Sequence, residues 1–132
     1  MEHIKIEIPS IPENVRIVES FIDTIKDKYH IDDNIYGNIM VSVTEAVNNA
    51  ILHGNSSNKD KNVELTLALD EKKVSFTISD QGLGFDFNNL PDPTAPENIE
   101  KTGGRGIFLI RNLSDNVNFT DDGKTLKLSF NV

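Results

Sequence analysis

Two polar side chains stand four residues apart in an otherwise apolar stretch, and their types suit phosphate chemistry. The stretch is "TEAVNNAILHGN", residues 44–55, and the two side chains are Glu45 and Asn49. In a helix, residues four apart lie one above the other on the same face. A carboxylate there could accept the proton of an attacking hydroxyl, and an amide oxygen could serve as a single protein ligand to Mg²⁺. The simpler interpretation is a solvated helix face.

A second candidate group is the segment "DQGLGF", which directly follows a strand-like alternating run. Asp80 is a carboxylate at the end of that run, and Gly82 and Gly84 permit a tight backbone turn beside it. An ionised carboxylate only accepts hydrogen bonds, so Asp80 would accept from an exocyclic amine and repel a carbonyl. This preference predicts selection of adenine over guanine. The segment lacks the third glycine and the following helix of a dinucleotide fingerprint, and a plain tight turn is the alternative.

The third group is "TGGRGIF", residues 102–108, which we interpret as a glycine-rich turn immediately before a short apolar helix. Gly103, Gly104 and Gly106 would let backbone N–H groups approach a phosphate, and the helix dipole favours an anion at that end. Arg105 would add positive charge. A mobile loop that uses its glycines as hinges explains the same residues equally well.

The pattern of apolar residues predicts the elements that must position these groups. Alternation with a period of two indicates strands, and spacing of three and four indicates helices. The predicted elements are, in chain order, a strand at 3–8, helices at about 12–29 and 32–53, a hairpin of "VELTLALD" and "KVSFTISD", a long loop, a short helix in "GIFLIRNLSD", and a hairpin of "NVNFT" and "KTLKLSF". This order predicts an α+β fold, a two-layer sandwich with the helices on one face of the sheet. The length of 132 residues suits a single domain, residues 1–132.

Composition excludes several functional classes. The net charge of -8 argues against a nucleic-acid binder, and the absence of cysteine excludes thiol catalysis and disulfides. The N-terminus has no signal-peptide core and no apolar run is long enough for a membrane, so we expect a cytoplasmic protein without membrane contact. The histidines are scattered, and we predict no structural metal site. His53, near a helix end, is expected to interact with the helix dipole. Asn48 has no assigned role.

Taken together and in this order, the three segments resemble the motifs of the GHKL ATPase superfamily, which has the Bergerat fold. Within it, the chain resembles the anti-sigma factor serine/threonine kinases of bacterial partner-switching systems. "EAVNNAILHGN" resembles the N-box, "DQGLGF" the D-x-G-x-G box, and "TGGRGIFLIRNLSD" the second glycine box. Each motif alone is weak, but all three in this order and at these spacings are a strong signal. The resemblance covers nearly the whole chain, including the leading strand and helix and the final hairpin.

The resemblance implies a Bergerat-type sheet, mixed or antiparallel, and ATP with Mg²⁺ bound under a lid at about residues 86–102. By position, Glu45 matches the general base, Asn49 the Mg²⁺ ligand and Asp80 the adenine-reading aspartate. The remaining matches are Gly82 and Gly84 in the base pocket, the phosphate-facing residues Thr102, Gly103, Gly104, Arg105 and Gly106, and Thr125 as a support of the adenine contact.

The resemblance also implies partners. Members of this family phosphorylate a serine of a STAS-domain anti-anti-sigma protein and bind a sigma factor, usually as homodimers. Nothing in the sequence identifies a sigma-binding surface. A nucleotide-gated binding module without phosphotransfer is the main alternative. A detached histidine-kinase catalytic domain is disfavoured, because the chain has no helix pair that carries a phosphoacceptor histidine.

Overall fold

The computed structural model describes residues 2–82, 102–120 and 124–132. Gly84 and the predicted lid up to residue 101 lie outside this part of the chain, as do the side chains of residues 102–105. The elements are, in order, β1 (Glu2–Pro9), a 3-10 turn (Pro12–Asn14), α1 (Val15–Tyr29), α2 (Asp33–Asn49), a π-helical turn (Ala50–Gly54), β2 (Asn62–Leu69), β3 (Lys73–Ser79), α3 (Thr102–Leu113), β4 (Asn116–Thr120) and β5 (Thr125–Asn131).

The strands form one five-stranded sheet in the order β1-β2-β3-β5-β4. Each neighbouring pair is antiparallel. The register aligns Ile4 with Leu67, Leu67 with Phe76, and Phe76 with Leu128, so apolar side chains stand in a row across the sheet. The predicted α+β sandwich is confirmed, and the sheet formed by the described strands is antiparallel rather than mixed.

Strand alternation gives the sheet one apolar and one polar face. The apolar face and the inner sides of the three helices form one buried cluster, in which Phe76 and Phe130 pack edge to face with centroids 6.3 Å apart. The opposite face carries small polar residues such as Ser75 and Ser129, whose hydroxyl oxygens lie 3.1 Å apart. The helices are therefore held on one side of the sheet by apolar burial. Among the described residues, no helix is both long and apolar enough to cross a membrane.

Helix α2 is oriented by contacts at its beginning. His30 adopts a left-handed conformation that ends α1, and the Asp32 side chain then accepts a hydrogen bond from Asn34 N at 2.9 Å. The Tyr36 hydroxyl donates to Asp23 on α1, which ties the two helices together. These contacts set the direction in which α2 runs toward the candidate site.

The end of α2 is a π-helical turn, which the sequence did not indicate. Ordinary helical bonding stops at Asn49, and the N–H of Asn55 donates to the carbonyl of Ala50 at 2.8 Å. A π-turn holds one residue more than an α-turn and is frequent at functional sites. The wide turn brings Gly54 against the residues that follow β3.

Helix α3 begins at Thr102, before the glycine-rich segment rather than after it. The prediction of a glycine-rich turn that precedes the helix was therefore wrong. Glycine is a poor helix former, so the three glycines of this segment favour a helix that starts after them. Packing overrides that preference here, because α3 lies close against α2 at Gly106.

Candidate functional site

Glu45 and Asn49 lie on the same side of α2, and both face α3 at Gly106. A Cβ built on Gly106 would lie 2.9 Å from Asn49 Nδ2 and 3.1 Å from Glu45 Oε2. A side chain at position 106 would have to displace the ends of both of these side chains. The close approach of the two helices therefore explains the glycine and brings three predicted site residues together.

A cleft of about 220 Å³ opens between α2 and α3 around this contact. Its walls are formed by Glu45, Asn48, Asn49, Leu52, His53, Gly106 and Leu109. Leu52 and Leu109 are 39% and 38% exposed and give the cleft an apolar side. Asn48, which had no role in the sequence analysis, lines the cleft, and so does His53.

The first turn of α3 consists of residues from the second glycine box. The leading N–H groups of a helix have no partner within the helix, and the dipole makes that end partly positive. Gly103 and Gly104 belong to this turn. An anion could approach it closely, because glycine has no side chain to block the backbone. The phosphate-facing role of Thr102, Arg105 and the glycines stays a prediction.

Asp80 lies immediately after β3, and hydrogen bonds with nearby backbone groups hold both its main chain and its carboxylate. Its N–H donates to Lys124 O at 2.9 Å, and its Oδ1 accepts from Gly82 N at 2.8 Å. A Cβ on Gly54 would lie 2.4 Å from Asp80 Oδ2, and one on Gly82 would lie 1.8 Å from Gly54 O. The carboxylate and the two glycines therefore pack in direct contact. Nothing in the sequence pattern indicated this contact of Gly54 with Asp80.

The environment of Asp80 disfavours its charge. Burial raises the pKa of this carboxyl, while the Gly82 N–H and the charges of Lys124 and Lys61 act in the opposite direction without offsetting it. A partly desolvated carboxylate is a strong hydrogen-bond acceptor, because little water competes with the donor of a ligand. Asp80 can therefore accept a hydrogen bond from an amine group of a ligand.

Thr125 lies beside the residue that precedes Asp80. It is paired in register with Ser79, and the hydroxyl oxygens of the two are 3.0 Å apart. Since Leu126 faces the core, Thr125 lies on the polar face of the sheet, whereas Asp80 contacts Gly54 on the helix side. The predicted support of an adenine contact by Thr125 stays a prediction.

Asn55, which follows the predicted second helix and received no role from the sequence, is a buried polar residue next to the candidate site. Asn55 is only 1% exposed, and its amide binds three groups: Gln81 N at 2.7 Å, Ser10 Oγ at 2.8 Å and Asn62 O at 3.1 Å. A polar loop sequence carries no signal that one of its amides is buried. The pairing with Gln81 links the end of α2 to the segment that carries Asp80.

Comparison with known proteins decides the family. The model of the histidine kinase-like ATPase domain matches residues 8–130 of the chain. The chain belongs to the histidine kinase-like ATPase domain family. The resemblance inferred from the three sequence motifs is thereby confirmed.

Relatives of this ATPase domain include bacterial kinases. The serine-protein kinase RsbW of Oceanobacillus iheyensis is 27% identical over 122 residues, which span 88% of this chain and 77% of the relative. The serine-protein kinase RsbW of Bacillus licheniformis is 28% identical over 137 residues, covering 97% and 84%. A solved structure of the RsbU and RsbW domains of Rv1364c from Mycobacterium tuberculosis has a TM-score of 0.65 at 12% identity. It matches 99% of this chain, which spans 32% of that longer chain, and shows a shared fold.

The residues of this ATPase domain fit a nucleotide and one Mg²⁺ ion. From Glu45 to Gly54 the chain advances by roughly 13 Å at the rise of a helix, so the Glu45–Asn49 pair in the last turns of α2 and the Asp80 contact at the π-turn lie along one continuous helical segment. Among the described residues, no three His, Cys, Asp or Glu side chains form a metal-binding group. Asn49 fits as a single protein ligand, because Mg²⁺ usually keeps waters and phosphate oxygens as its other ligands.

Proposed function

We propose that this chain is an ATP-dependent protein-serine kinase of the partner-switching type. Its substrate would be a serine of a STAS-domain anti-anti-sigma protein, and a sigma factor would be its second partner. The observation that carries the proposal is the contact of Glu45 and Asn49 with Gly106, which lies at the C-terminal end of α2, directly before the π-turn that holds the Asp80–Gly54 contact. The names of the RsbW relatives support the choice of serine.

At the base end, the proposed ligand is adenine. Asp80 would accept a hydrogen bond from the exocyclic amine of adenine and would repel the carbonyl of guanine at that position. Gly54 and Gly82 would let the backbone pack directly against the carboxylate and so hold its orientation toward the base, because a Cβ at either position would collide with Asp80 or with Gly54 O.

At the phosphate end, each residue has one role. Bound Mg·ATP would supply the transferable phosphoryl group, with the metal neutralising its charge. Asn49 would hold the metal, and the first turn of α3 would direct N–H groups at the phosphates. Glu45 would accept the proton of the serine hydroxyl as that oxygen attacks.

The test is incubation of the chain with labelled ATP and a purified STAS-domain protein. We expect serine phosphorylation by the wild type and a loss of about 10²- to 10⁴-fold in Glu45→Ala, the usual contribution of a general base. ATP affinity should remain close to that of the wild type. The exposed Glu71 provides the matched control, and Glu71→Ala should keep full activity. Absence of phosphoserine, or full activity in Glu45→Ala, would contradict the kinase proposal.

A nucleotide-gated binding module is the second candidate. The short contact between Gly106 and Asn49 favours it, because a ligand at Asn49 would directly affect the position of α3. In this case partner binding would depend on ATP, survive Glu45→Ala, and be lost in Asn49→Ala or Asp80→Asn. A pull-down of the STAS-domain protein with and without ATP separates the two candidates.

Two further properties rest on the resemblance to anti-sigma kinases. We propose that the chain acts as a homodimer and in the cytoplasm. Light scattering on the purified chain measures the first, and fractionation of the native cells measures the second. A monomer at micromolar concentration would argue against the dimer.

A further inference from the structure

Asn55 is buried next to the proposed adenine site, but none of the roles assigned to the three sequence motifs falls on it. Its Oδ1 accepts from the Gln81 N–H at 2.7 Å, and its Nδ2 donates to Ser10 Oγ and to Asn62 O. With 1% of its surface exposed, it has no access to a nucleotide. Any effect on the site must therefore be transmitted through its neighbours, the adjacent Gly54 and the hydrogen-bonded Gln81.

The segment that carries Asp80 is held by three successive backbone N–H groups. Those of Asp80, Gln81 and Gly82 donate to Lys124 O at 2.9 Å, Asn55 Oδ1 at 2.7 Å and Asp80 Oδ1 at 2.8 Å. The first acceptor, Lys124 O, lies directly before β5, and the third is the Asp80 carboxylate itself. Asn55 is thus the acceptor that anchors this segment to the end of α2.

The Gln81 side chain and the Asn55 side chain also share a partner, Asn62. Its Oε1 accepts from Asn62 N at 2.7 Å, while Asn55 Nδ2 donates to Asn62 O at 3.1 Å. Both backbone polar groups of Asn62 are therefore bound by these two side chains. Ser10 completes the network at the far end, where its hydroxyl donates to Lys61 O at 2.7 Å.

The loop after Asn55 has a disfavoured backbone. Ser56 and Ser57 have φ angles of 52° and 55°, in the left-handed region that non-glycine residues rarely adopt. Such conformations persist only where the surrounding structure over-determines them. Here the Asn55 N–H is bound to Ala50 O and the Ser57 N–H to Ile51 O, so the loop is fixed on the π-turn. This fixes the direction of the Asn55 side chain.

We propose that Asn55 is a positioning residue that determines nucleotide-base specificity by holding the Asp80–Gly82 backbone against Gly54. The proposal rests on the proposed function, since it requires a nucleotide base at Asp80. Without the Asn55 acceptor, the Gln81 N–H loses its partner, and the Asp80 carboxylate can shift away from the plane in which it meets the base. A purely structural Asn55 would affect folding but not the choice of base.

The experiment measures dissociation constants for Mg·ATP and Mg·GTP by calorimetry, well below the melting temperature of each variant. For Asn55→Ala we expect ATP affinity to fall about tenfold and the ATP-over-GTP preference to shrink by a similar factor, as for the loss of one buried hydrogen bond at a recognition site. If Asn55→Ala does not fold, Asn55→Ser replaces it, because a hydroxyl one bond shorter cannot reach Gln81 N.

Two further variants separate positioning from stability. Asn55→Asp keeps an acceptor for Gln81 N and loses the donor to Ser10 Oγ and Asn62 O, so it should melt lower but keep the preference for ATP within about threefold. Ser10→Ala removes the far end of the network and should behave in the same way. An unchanged ATP-to-GTP ratio in Asn55→Ala, or an equal loss of preference in Ser10→Ala, would overturn the proposal. A wild type that does not bind ATP would refute the proposed function itself.

Discussion

Asp80 and Asp70 are carboxylates whose pKa values shift in opposite directions. Burial raises the pKa of Asp80. At Asp70 the N–H groups of Lys72 and Lys73 both donate to Oδ1 at 2.8 Å and lower the pKa. The folded state therefore penalises the charge of Asp80 and favours the charge of Asp70, which fits a binding role for the first and a turn-capping role for the second.

We predict that Asp80→Asn stabilises the ligand-free protein at pH 7 while it weakens ATP binding by at least about tenfold. A carboxyl with a raised folded pKa contributes stability below its unfolded pKa, near 3.8, and this contribution is lost as the pH rises through the folded value. Asparagine is neutral at every pH and avoids this loss. Melting curves from pH 3 to 8 should show a gap between variant and wild type that closes in acid.

Asp70→Asn is the control with the opposite sign. A lowered folded pKa gives stability that is present above the unfolded pKa and is lost as the pH falls through the folded value. This variant should therefore melt below the wild type at pH 7 and approach it in acid, with unchanged ATP affinity. A lower melting temperature of Asp80→Asn at pH 7 would contradict the account of its burial.

At the level of elements, α2 and α3 each contain a glycine that can be compared directly. A Cβ added at Gly37, inside α2, would have nothing within 4 Å, whereas a Cβ at Gly106 in α3 would meet Asn49 and Glu45. Glycine weakens a helix by about 0.5–1 kcal/mol relative to alanine. The two positions therefore share the same cost in helix propensity but differ in their surroundings.

We predict that Gly37→Ala raises the free energy of unfolding by about 0.5–1 kcal/mol and leaves the kinase activity unchanged. Gly106→Ala should lose activity by about a hundredfold, because it displaces the proposed base and metal ligand by a fraction of an ångström to an ångström. Thermal melts and phosphorylation rates of both variants provide the measurement. Equal activity of the two variants would show that the helix contact is not needed for catalysis.

The elements themselves were largely predictable from the sequence. The hairpins follow from alternation, because each strand has one apolar and one polar face, and the first two helices follow from their apolar stripes. The start of α3 was not predictable, since the close approach of Gly106 to Asn49 is a tertiary contact that outweighs helix propensity. The π-turn was also missed, because one extra residue changes the spacing of apolar positions too little to be noticed.

For the molecule as a whole, the site is assembled from parts that are distant in sequence. Glu45, Asn49 and Asp80 could be proposed as site residues from residue type and spacing, and their roles stay predictions. Gly54 and Asn55 could not, because their roles arise from contacts with Asp80 and Gln81 that form only after β3 has joined the sheet. A sequence shows which chemistry is present, but not which loop residues become buried on folding.

We predict that Mg·ATP at a hundred times its dissociation constant stabilises the whole fold by about 2.7 kcal/mol, through preferential binding to the folded state. Chelation of Mg²⁺ should remove much of this gain in the wild type. In Asn49→Ala the gain should be small with or without the chelator, because the proposed metal ligand is absent. Calorimetric melts measure all four conditions. A wild-type gain that does not respond to chelation would contradict the role of Asn49.

The π-turn that ends α2 acts as a built-in insertion of one residue. Each residue of a regular helix advances the chain by about 100° around the axis. A turn shortened by one residue would leave Glu45 and Asn49 in place but would rotate Gly54 and everything after it away from Asp80. The chain length between Asn49 and Gly54 therefore sets the angle between the two halves of the candidate site. A single deletion there would separate the proposed base recognition from the proposed phosphate chemistry without altering any residue proposed to touch the ligand.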